Sequence, residues 1–347
     1  MEKMRLGRTG LMVSRLGFGG IPIQRDTEED AIAVVRRCLD LGITYIDTAN
    51  GYTVSEERIG KAVAGRRKDV IIATKTGART RDDVEKHLTL SLKRLNTDYI
   101  DIYQFHGVNN TKHLETVLEP NGLLDFVEEQ KKAGKVRHIG ITSHQMDIAK
   151  KAVASDKFET VMFPFNVVTD EAATELIPLA RQHDVGFIAM KPLAGGMLDD
   201  AKMCFKYLFQ FPDVLPIPGI EKPQEIEEIV EILEKSPKMT RAEKAEMAKK
   251  KQELGHRFCH RCDYCQPCTM NIPISTVLTS ASFAKRLPEE RFFTEMVAKA
   301  MEAAANCADC GECEERCPYH LPIREMLNEQ VEWFEAKRKE YAARKAS

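Results

Sequence analysis

Thr44-Tyr45-Ile46-Asp47-Thr48-Ala49 is a short run of apolar, β-branched and aromatic residues, and a helical stretch, Ser55–Ala64, follows it. The unit recurs along the first part of the chain. Candidate strands of the same kind lie at Arg15–Gly20, Val70–Lys75, Ile100–His106, Val136–Thr142, Val161–Asn166, Val185–Lys191 and Val214–Ile220. The helical stretches are Glu28–Leu41, Arg81–Leu95, Leu124–Ala133, Gln145–Ala154, Glu171–His183, Asp199–Gln210 and Pro223–Glu234. Short, near-continuous apolar strands predict a parallel sheet covered on both faces. Ser55-Glu56-Glu57 reads as a cap before an acidic first turn, and Thr80 precedes Asp82 and Asp83 in the same way. Eight strand–helix units are the number that closes a (β/α)8 TIM barrel. A doubly wound open sheet is the alternative, but no unit carries the G-x-G-x-x-G turn of such dinucleotide-binding sheets. Met4–Arg15, with Gly7 and Gly10, reads as a small hairpin plugging the bottom of the barrel.

At 347 residues the chain has room for such a barrel and a further module. Its 51 basic and 53 acidic residues nearly cancel, which argues against a nucleic-acid partner. No apolar stretch is long enough to span a bilayer. The N-terminus lacks the apolar run of a signal peptide, so a cytoplasmic, reducing setting is expected, where clustered cysteines favour metal over disulfide. Composition changes after Lys238, and the domains are expected to be 1–236 and 237–347. Thr240–Gly255 reads as a charged helix with Gly255 as its C-cap, Pro273–Asn306 as mixed helical, and Ile323–Ser347 as a charged helix. Cys38 and Cys204 read as core thiols, and Lys249–Lys251 as a solvated face.

Reactive groups in such barrels sit where strands end, at the C-terminal face. Asp47 and Lys75 end the second and third strands, His106 ends the fourth, and Tyr52 lies in the loop after the second. An ammonium beside a phenol favours phenolate, an aspartate holds and neutralises the lysine, and a neutral histidine can orient a carbonyl. Together they make a proton donor for a carbonyl oxygen receiving a hydride.

The chain resembles an aldo-keto reductase. The matching segments are Leu-Gly-Phe-Gly-Gly (16–20), Asp-Thr-Ala-Asn-Gly-Tyr (47–52), Ser-Glu-Glu-Arg-Ile-Gly (55–60), Ala-Thr-Lys (73–75), Gln-Phe-His (104–106), Gly-Ile-Thr-Ser (140–143), Lys-Pro-Leu-Ala-Gly-Gly (191–196) and Ile-Pro-Gly (217–219). The resemblance covers nearly all of residues 4–235. It implies catalysis by Asp47, Tyr52, Lys75 and His106, with Tyr52 as the acid in NAD(P)H-dependent reduction of an aldehyde or ketone, or oxidation of the alcohol. It places the cofactor near Gly20, Ser143, Lys191, Pro192, Leu193, Gly195, Gly219 and Glu225. The glycine-bearing turns after strands seven and eight are where barrels commonly bind phosphate; Lys191 could contact a pyrophosphate or close an ion pair. The sequence also departs from the family. Thr53 replaces a common glycine, His144 a common asparagine, Met162 a glutamine and Met190 an aromatic that stacks on nicotinamide. Glu225 stands where a cation often grips the 2′-phosphate of NADPH, which favours NADH. With both nicotinamide contacts changed, a flavin could take its place.

Eight of the ten cysteines form two runs: Cys259, Cys262, Cys265 and Cys268, then Cys307, Cys310, Cys313 and Cys317 followed by Pro318. The second is C-x2-C-x2-C-x3-C-P, the spacing of bacterial [4Fe–4S] ferredoxins. Two [4Fe–4S] clusters, zinc sites, or one cluster with spare thiols are the competing readings. Zinc usually takes pairs separated by a longer loop, so two clusters are favoured. In two-cluster ferredoxins each fourth cysteine serves the other cluster. That pattern pairs Cys259, Cys262 and Cys265 with Cys317, and Cys307, Cys310 and Cys313 with Cys268. The first run departs from it in its last gap and its proline. Asn-Ile-Pro-Ile (271–274) and His-Leu-Pro-Ile (320–323) repeat one another past the two runs. The resulting expectation is a TIM barrel followed by a small, mainly helical ferredoxin-like iron–sulfur domain, as in the known aldo-keto reductase subgroup with that appendage. The clusters would exchange electrons with a partner such as a ferredoxin or flavoprotein. The alternative is a nucleotide-binding redox sensor in which the clusters are regulatory or structural.

Overall fold

The computed structural model describes residues 1–235, 238–285 and 287–346. It divides into two compact units, Met1–Ala194 with Leu198–Thr240, and Gly195–Met197 with Arg241–Ser347. The boundary expected between 236 and 237 falls on Ser236 and Pro237, outside the described residues, as does Ser347 of the expected last helix. No helix among the described residues is long and apolar enough to cross a membrane.

The first unit opens with an antiparallel hairpin, β1 (Lys3–Arg5) and β2 (Met12–Ser14). Eight further strands follow: β3 (Phe18–Gly19), β4 (Tyr45–Asp47), β5 (Ile71–Thr76), β6 (Ile100–Phe105), β7 (Val136–Thr142), β8 (Thr160–Pro164), β9 (Gly186–Met190) and β10 (Val214–Ile217). They pair in sequence order, and every pair is parallel. The two edges then meet. Gly19 bridges Gly219, and the amides of Gly17 and Gly19 donate to Pro216 O at 2.9 Å and Pro218 O at 2.7 Å. This closure makes a barrel and removes the open-sheet alternative. Glycine permits the close approach: a Cβ on Gly17 would lie 2.9 Å from Ile217 Cγ2, and one on Gly19 2.9 Å from Pro218 O. The same glycines weaken regular pairing, so β3 is much shorter than the stretch expected from Arg15 to Gly20.

The hairpin does plug the barrel. Met4, Leu6 and Val13 pack with Tyr45, Ala73, Ile102, Met162, Ile188 and Leu215 in one interior cluster. Around it the helices bury their apolar stripes on the outer faces of the strands. Glu28–Asp40 shows the local logic. Thr27 Oγ1 accepts from Asp30 N at 3.1 Å, three acidic residues fill the first turn, and Val34, Val35, Cys38 and Leu39 face inward. Cys38 is a core thiol, pushed up to about 12 by burial, and Cys204 is buried as well.

Several elements differ from the sequence reading. An additional helix, Thr111–Leu118, follows β6 and is capped by Asn110. The helix expected over 171–183 is split into a 3-10 turn, Glu171–Ala173, and a helix, Leu176–Gln182. Pro178 explains the split: it cannot donate to residue 174 and its ring clashes there, so it is accommodated only in a first turn. Ser55 is not a cap. It lies inside the helix Ser55–Ala62, where its hydroxyl donates to Gly20 O at 2.8 Å. Gly255 ends the helix Arg241–Gly255 without a left-handed φ.

The second unit is helical wherever it is regular: Arg241–Gly255, Ile274–Leu278, Ser280–Ala284, Glu289–Phe292, Glu295–Ala305, Glu312–Glu315 and Ile323–Ala346. Its core gathers Ile272, Val277, Phe292, Met301, Leu327 and Phe334 with Cys265, Cys313 and Cys317. The cysteines are part of the packing.

Candidate active site and cysteine centres

Parallel register places the C-terminal ends of β4, β5 and β6 side by side, and three of the four expected catalytic residues stand there. Asp47 ends β4, Lys75 lies next to last on β5 and His106 follows β6. Lys75 is fully enclosed, and its Nζ donates to Asp47 Oδ1 and, at 2.7 Å, to Thr48 O. Gln104 Nε2 donates to Asp47 Oδ2 at 3.1 Å. Tyr52 completes the group. The Lys75 ammonium lies 4.9 Å from the Tyr52 ring centroid and hydrogen-bonds its side chain. The Tyr52 and His106 rings meet edge to face at 5.8 Å. The His106 carbonyl is fixed from behind by Arg79 Nη2 at 2.7 Å.

Burial is the largest influence on both members of the ion pair. It holds the Asp47 carboxyl above its usual range against the pull of Lys75 and Gln104. It also works against the Lys75 ammonium, but the Asp47 charge and Tyr52 more than offset it, and Lys75 is held above its usual value. These two directions oppose each other, since a raised carboxyl weakens the pair that a raised lysine requires. The ion pair is the state the geometry favours, because each Asp47 oxygen accepts a hydrogen bond.

Gln104 was missed in the sequence reading. A signal was available: it precedes His106 by two residues in a strand, where alternate residues share a face.

The expected cofactor contacts are more scattered. Gly20 is buried, with its amide on Asp47 O at 2.8 Å. Ser143 is buried too, and its hydroxyl accepts from Gln145 N at 3.0 Å, shaping the turn after β7. Beside it His144 N donates to Asn109 Oδ1 at 2.8 Å. Lys191, just past β9, has a left-handed backbone at φ 58°, its carbonyl accepts from Asn166 Nδ2 at 3.0 Å, and its Nζ lies 3.1 Å from His144 Nε2. Pro192 is buried and Leu193 half-buried in the turn that follows, while Gly195 falls with the second unit. Gly219 is exposed at the rim, where a Cβ would lie 2.6 Å from Pro22 Cγ.

Glu225 lies in the first turn of the helix Pro223–Lys235, and its Oε2 accepts from the amides of Glu221 at 2.7 Å and Lys222 at 3.1 Å. It therefore occupies amides that an anion would seek at a helix start. Asp26 and Glu221 lie close enough to feel its charge. Burial first, and these like charges next to opposing arginines, hold both carboxyls above their usual range. Arg25, 3.5 Å from Glu221, Arg58 and Lys222 stand here too, so this side of the barrel rim carries both signs of charge.

In the second unit the two cysteine runs share backbone features at matching positions, although only the second has a helical turn, Glu312–Glu315, before its fourth cysteine. Arg261 and Asp309, two residues past each first cysteine, are left-handed at φ 60° and 53°. Asp263 and Gly311 match at 58° and 80°, and Asn271 and His320, three past each fourth cysteine, at 55° and 51°. The hydrogen bonds repeat as well. Asn271 N donates to Cys268 O at 2.9 Å and His320 N to Cys317 O at 3.1 Å; Ile274 N donates to Ile272 O and Ile323 N to Leu321 O. Between the runs lie two small cavities. One is lined by Cys259, Cys262, Cys265 and Cys317. The other is lined by Cys268, Cys307, Cys310 and Cys313. Three thiols thus come from one run and one from the other in each case, with apolar walls from Leu278, Leu321 and Ile323 or from Ile272, Ile274 and Leu327. Burial pushes the Cys265 thiol up to about 12 and those of Cys259 and Cys313 to about 11. Among the described residues no three His, Cys, Asp or Glu side chains are placed to hold a single metal ion; the thiols line cavities instead. A [4Fe–4S] group takes four thiolates, and each cavity offers that set.

Comparisons with known proteins agree with this two-part fold. The aldo/keto reductase family model matches residues 15–203, and the 4Fe-4S dicluster domain model matches residues 258–322. The aldo-keto reductase YhdN of Bacillus subtilis is 32% identical over 237 residues, 62% of this chain and 68% of that protein. The L-galactose dehydrogenase of Arabidopsis thaliana is 34% identical over 219 residues, 58% of this chain and 68% of that protein. Among solved structures, the holo form of the aldo-keto reductase AKR11C1 from Bacillus halodurans superimposes with a TM-score of 0.62 at 27% identity, covering 72% of this chain and 96% of that one. The chain belongs to the aldo/keto reductase family, as an oxidoreductase whose barrel is followed by a C-terminal 4Fe-4S domain.

Proposed function

We propose that the barrel reduces an aldehyde or ketone, or oxidises the alcohol, using a nicotinamide nucleotide and Tyr52 as general acid or base. The observation that carries this reading is the convergence of Tyr52, His106 and the buried Lys75–Asp47 pair at one mouth. A nicotinamide bound there supplies or accepts the hydride. Tyr52 gives its proton to the carbonyl oxygen as the carbon takes the hydride, so that one C–H and one O–H bond replace the C=O π bond. The Lys75 ammonium stabilises the phenolate left behind, and Asp47 keeps that buried ammonium charged. His106, beside the Tyr52 ring, orients the carbonyl.

The left-handed turn at Lys191 supports a phosphate-binding loop after β9. Glu225 favours NADH: its carboxylate already takes the Glu221 and Lys222 amides that a 2′-phosphate would need, whereas a ribose hydroxyl could donate to it. The four-thiol cavities support two [4Fe–4S] clusters with crossed ligands. In this reading they carry single electrons to or from a ferredoxin or flavoprotein. A hydride carries two electrons and a proton, so two one-electron steps and one proton exchanged with solvent would balance it, and a flavin, in the chain or on the partner, would supply that conversion.

Turnover of simple aldehydes with NADH tests the barrel. Tyr52→Phe should lower kcat by about 10²–10⁴ while nucleotide binding, read by fluorescence, stays within twofold. A mutant as fast as the parent rules out the tetrad. Nucleotide binding without turnover in the parent would favour the sensor reading.

A further inference from the structure

The repeat in the second unit also differs at one pair of cavity-lining positions. His260 follows the first cysteine of its run and Tyr319 lies two residues past the fourth cysteine of the other. Their rings stack at 3.6 Å and 7°, and both line the cavity of Cys259, Cys262, Cys265 and Cys317. The counterparts at the second cavity are Ala308 and Met270. No stack can form there, and the surface differs accordingly. His260 is buried and Cys262 half-buried, whereas Ala308, Asp309 and Cys310 are exposed, and Met270 is 44% exposed. Charge differs too. Between Cys307 and Cys317 lie Asp309, Glu312, Glu314 and Glu315; Arg324 pairs with Asp309 and Glu314 and Arg316 with Glu312, which leaves two carboxylates in excess, whereas between Cys259 and Cys268 Arg261 is matched by Asp263.

Resting on the two-cluster reading above, we propose that the cluster held by Cys268, Cys307, Cys310 and Cys313 is the port through which electrons leave the molecule. Its partner is a one-electron carrier protein with a basic docking face, seated on the acidic rim around Cys310 and Met270. Electron transfer falls off with distance, so the cluster whose ligand reaches the surface is the one a docked carrier can oxidise. The His260–Tyr319 stack walls one side of the other site, where no thiol is more than half exposed. One electron leaves the reduced cluster and reduces the partner's centre; no bond or proton moves.

The test uses anaerobically purified full-length protein, reduced and freed of reductant, with a basic c-type cytochrome as acceptor. Restoring the stack with Ala308→His and Met270→Tyr should slow cytochrome reduction about tenfold with iron near eight per chain. Glu312→Lys with Glu315→Lys, which touches no thiol, should slow it about fivefold and flatten its dependence on ionic strength. A dysprosium chelate should speed the EPR relaxation of one of the two cluster signals, and the restored stack should remove that effect. Iron near eight with unchanged rates in both variants, or equal relaxation of both signals, overturns the port. About four irons per chain overturns the two-cluster reading beneath it.

Discussion

At the scale of single residues the site rests on one buried ion pair. Lys75 and Asp47 are both enclosed, so removing one partner leaves the other charge without compensation. Lys75→Met is expected to cost about 3–5 kcal/mol in stability, seen as a lower Tm, while Lys75→Met combined with Asp47→Asn should recover much of it. If the double variant is no more stable than the single one, the pair is not what holds this part of the mouth. Glu225 makes a separable prediction. Glu225→Gln keeps an acceptor for the Glu221 and Lys222 amides but removes the charge, so the Kd for NADPH should fall about tenfold relative to that for NADH. An unchanged ratio would disconnect Glu225 from cofactor choice. The grouping of Asp47, Tyr52, Lys75 and His106 was legible in the sequence because they end strands or lie in the loop just past one. Ser55 was misread, because a serine beside two glutamates looks like a cap until the fold buries it under Gly20.

At the scale of elements, register explains what the sequence showed and what it hid. Continuous apolar runs marked the strands of the barrel, and the glycines of β3 marked its closure without revealing how little regular pairing they leave. The helix Thr111–Leu118 was missed because its core-facing stripe is thin, with only Leu114 and Val117 buried. Pairing between β7 and β8 is further tied by Glu159, which accepts from Ile139 N at 2.9 Å, Lys131 Nζ at 2.7 Å and His138 Nδ1 at 2.6 Å. Burial alone would raise this carboxyl, but His138, Lys131 and the Ile139 amide together depress it to about 2. A depressed carboxylate contributes stability above its unfolded value near 4.5, and that contribution is lost as pH falls from there toward 2. Allowing for partial exposure, Glu159→Gln should destabilise by about 1–2 kcal/mol at pH 7, with the gap closing below pH 3. A deficit independent of pH would assign the effect to packing.

At the scale of the whole molecule, an aldo/keto reductase barrel, with Tyr52 as the proposed proton donor, is joined in one chain to a unit built around thiols. The cysteine spacing made the second unit legible, and the crossed grouping of thiols follows from the backbone features its two runs share. Its helical packing was less legible, because the core there is assembled from short helices around the cysteines rather than from long periodic stripes. Chelation of iron should therefore lower the Tm of the second unit more than that of the first, a difference that calorimetry would resolve; a single unshifted transition would show that the thiols pack equally well without a cluster. Hydride chemistry at Tyr52 remains the central claim, and isotope transfer reports on it directly. Full-length protein given an aldehyde and NADH deuterated at the transferred position should yield alcohol with deuterium on the carbinol carbon, and Tyr52→Phe should yield almost none. NADH oxidation without deuterium in the alcohol would contradict that claim.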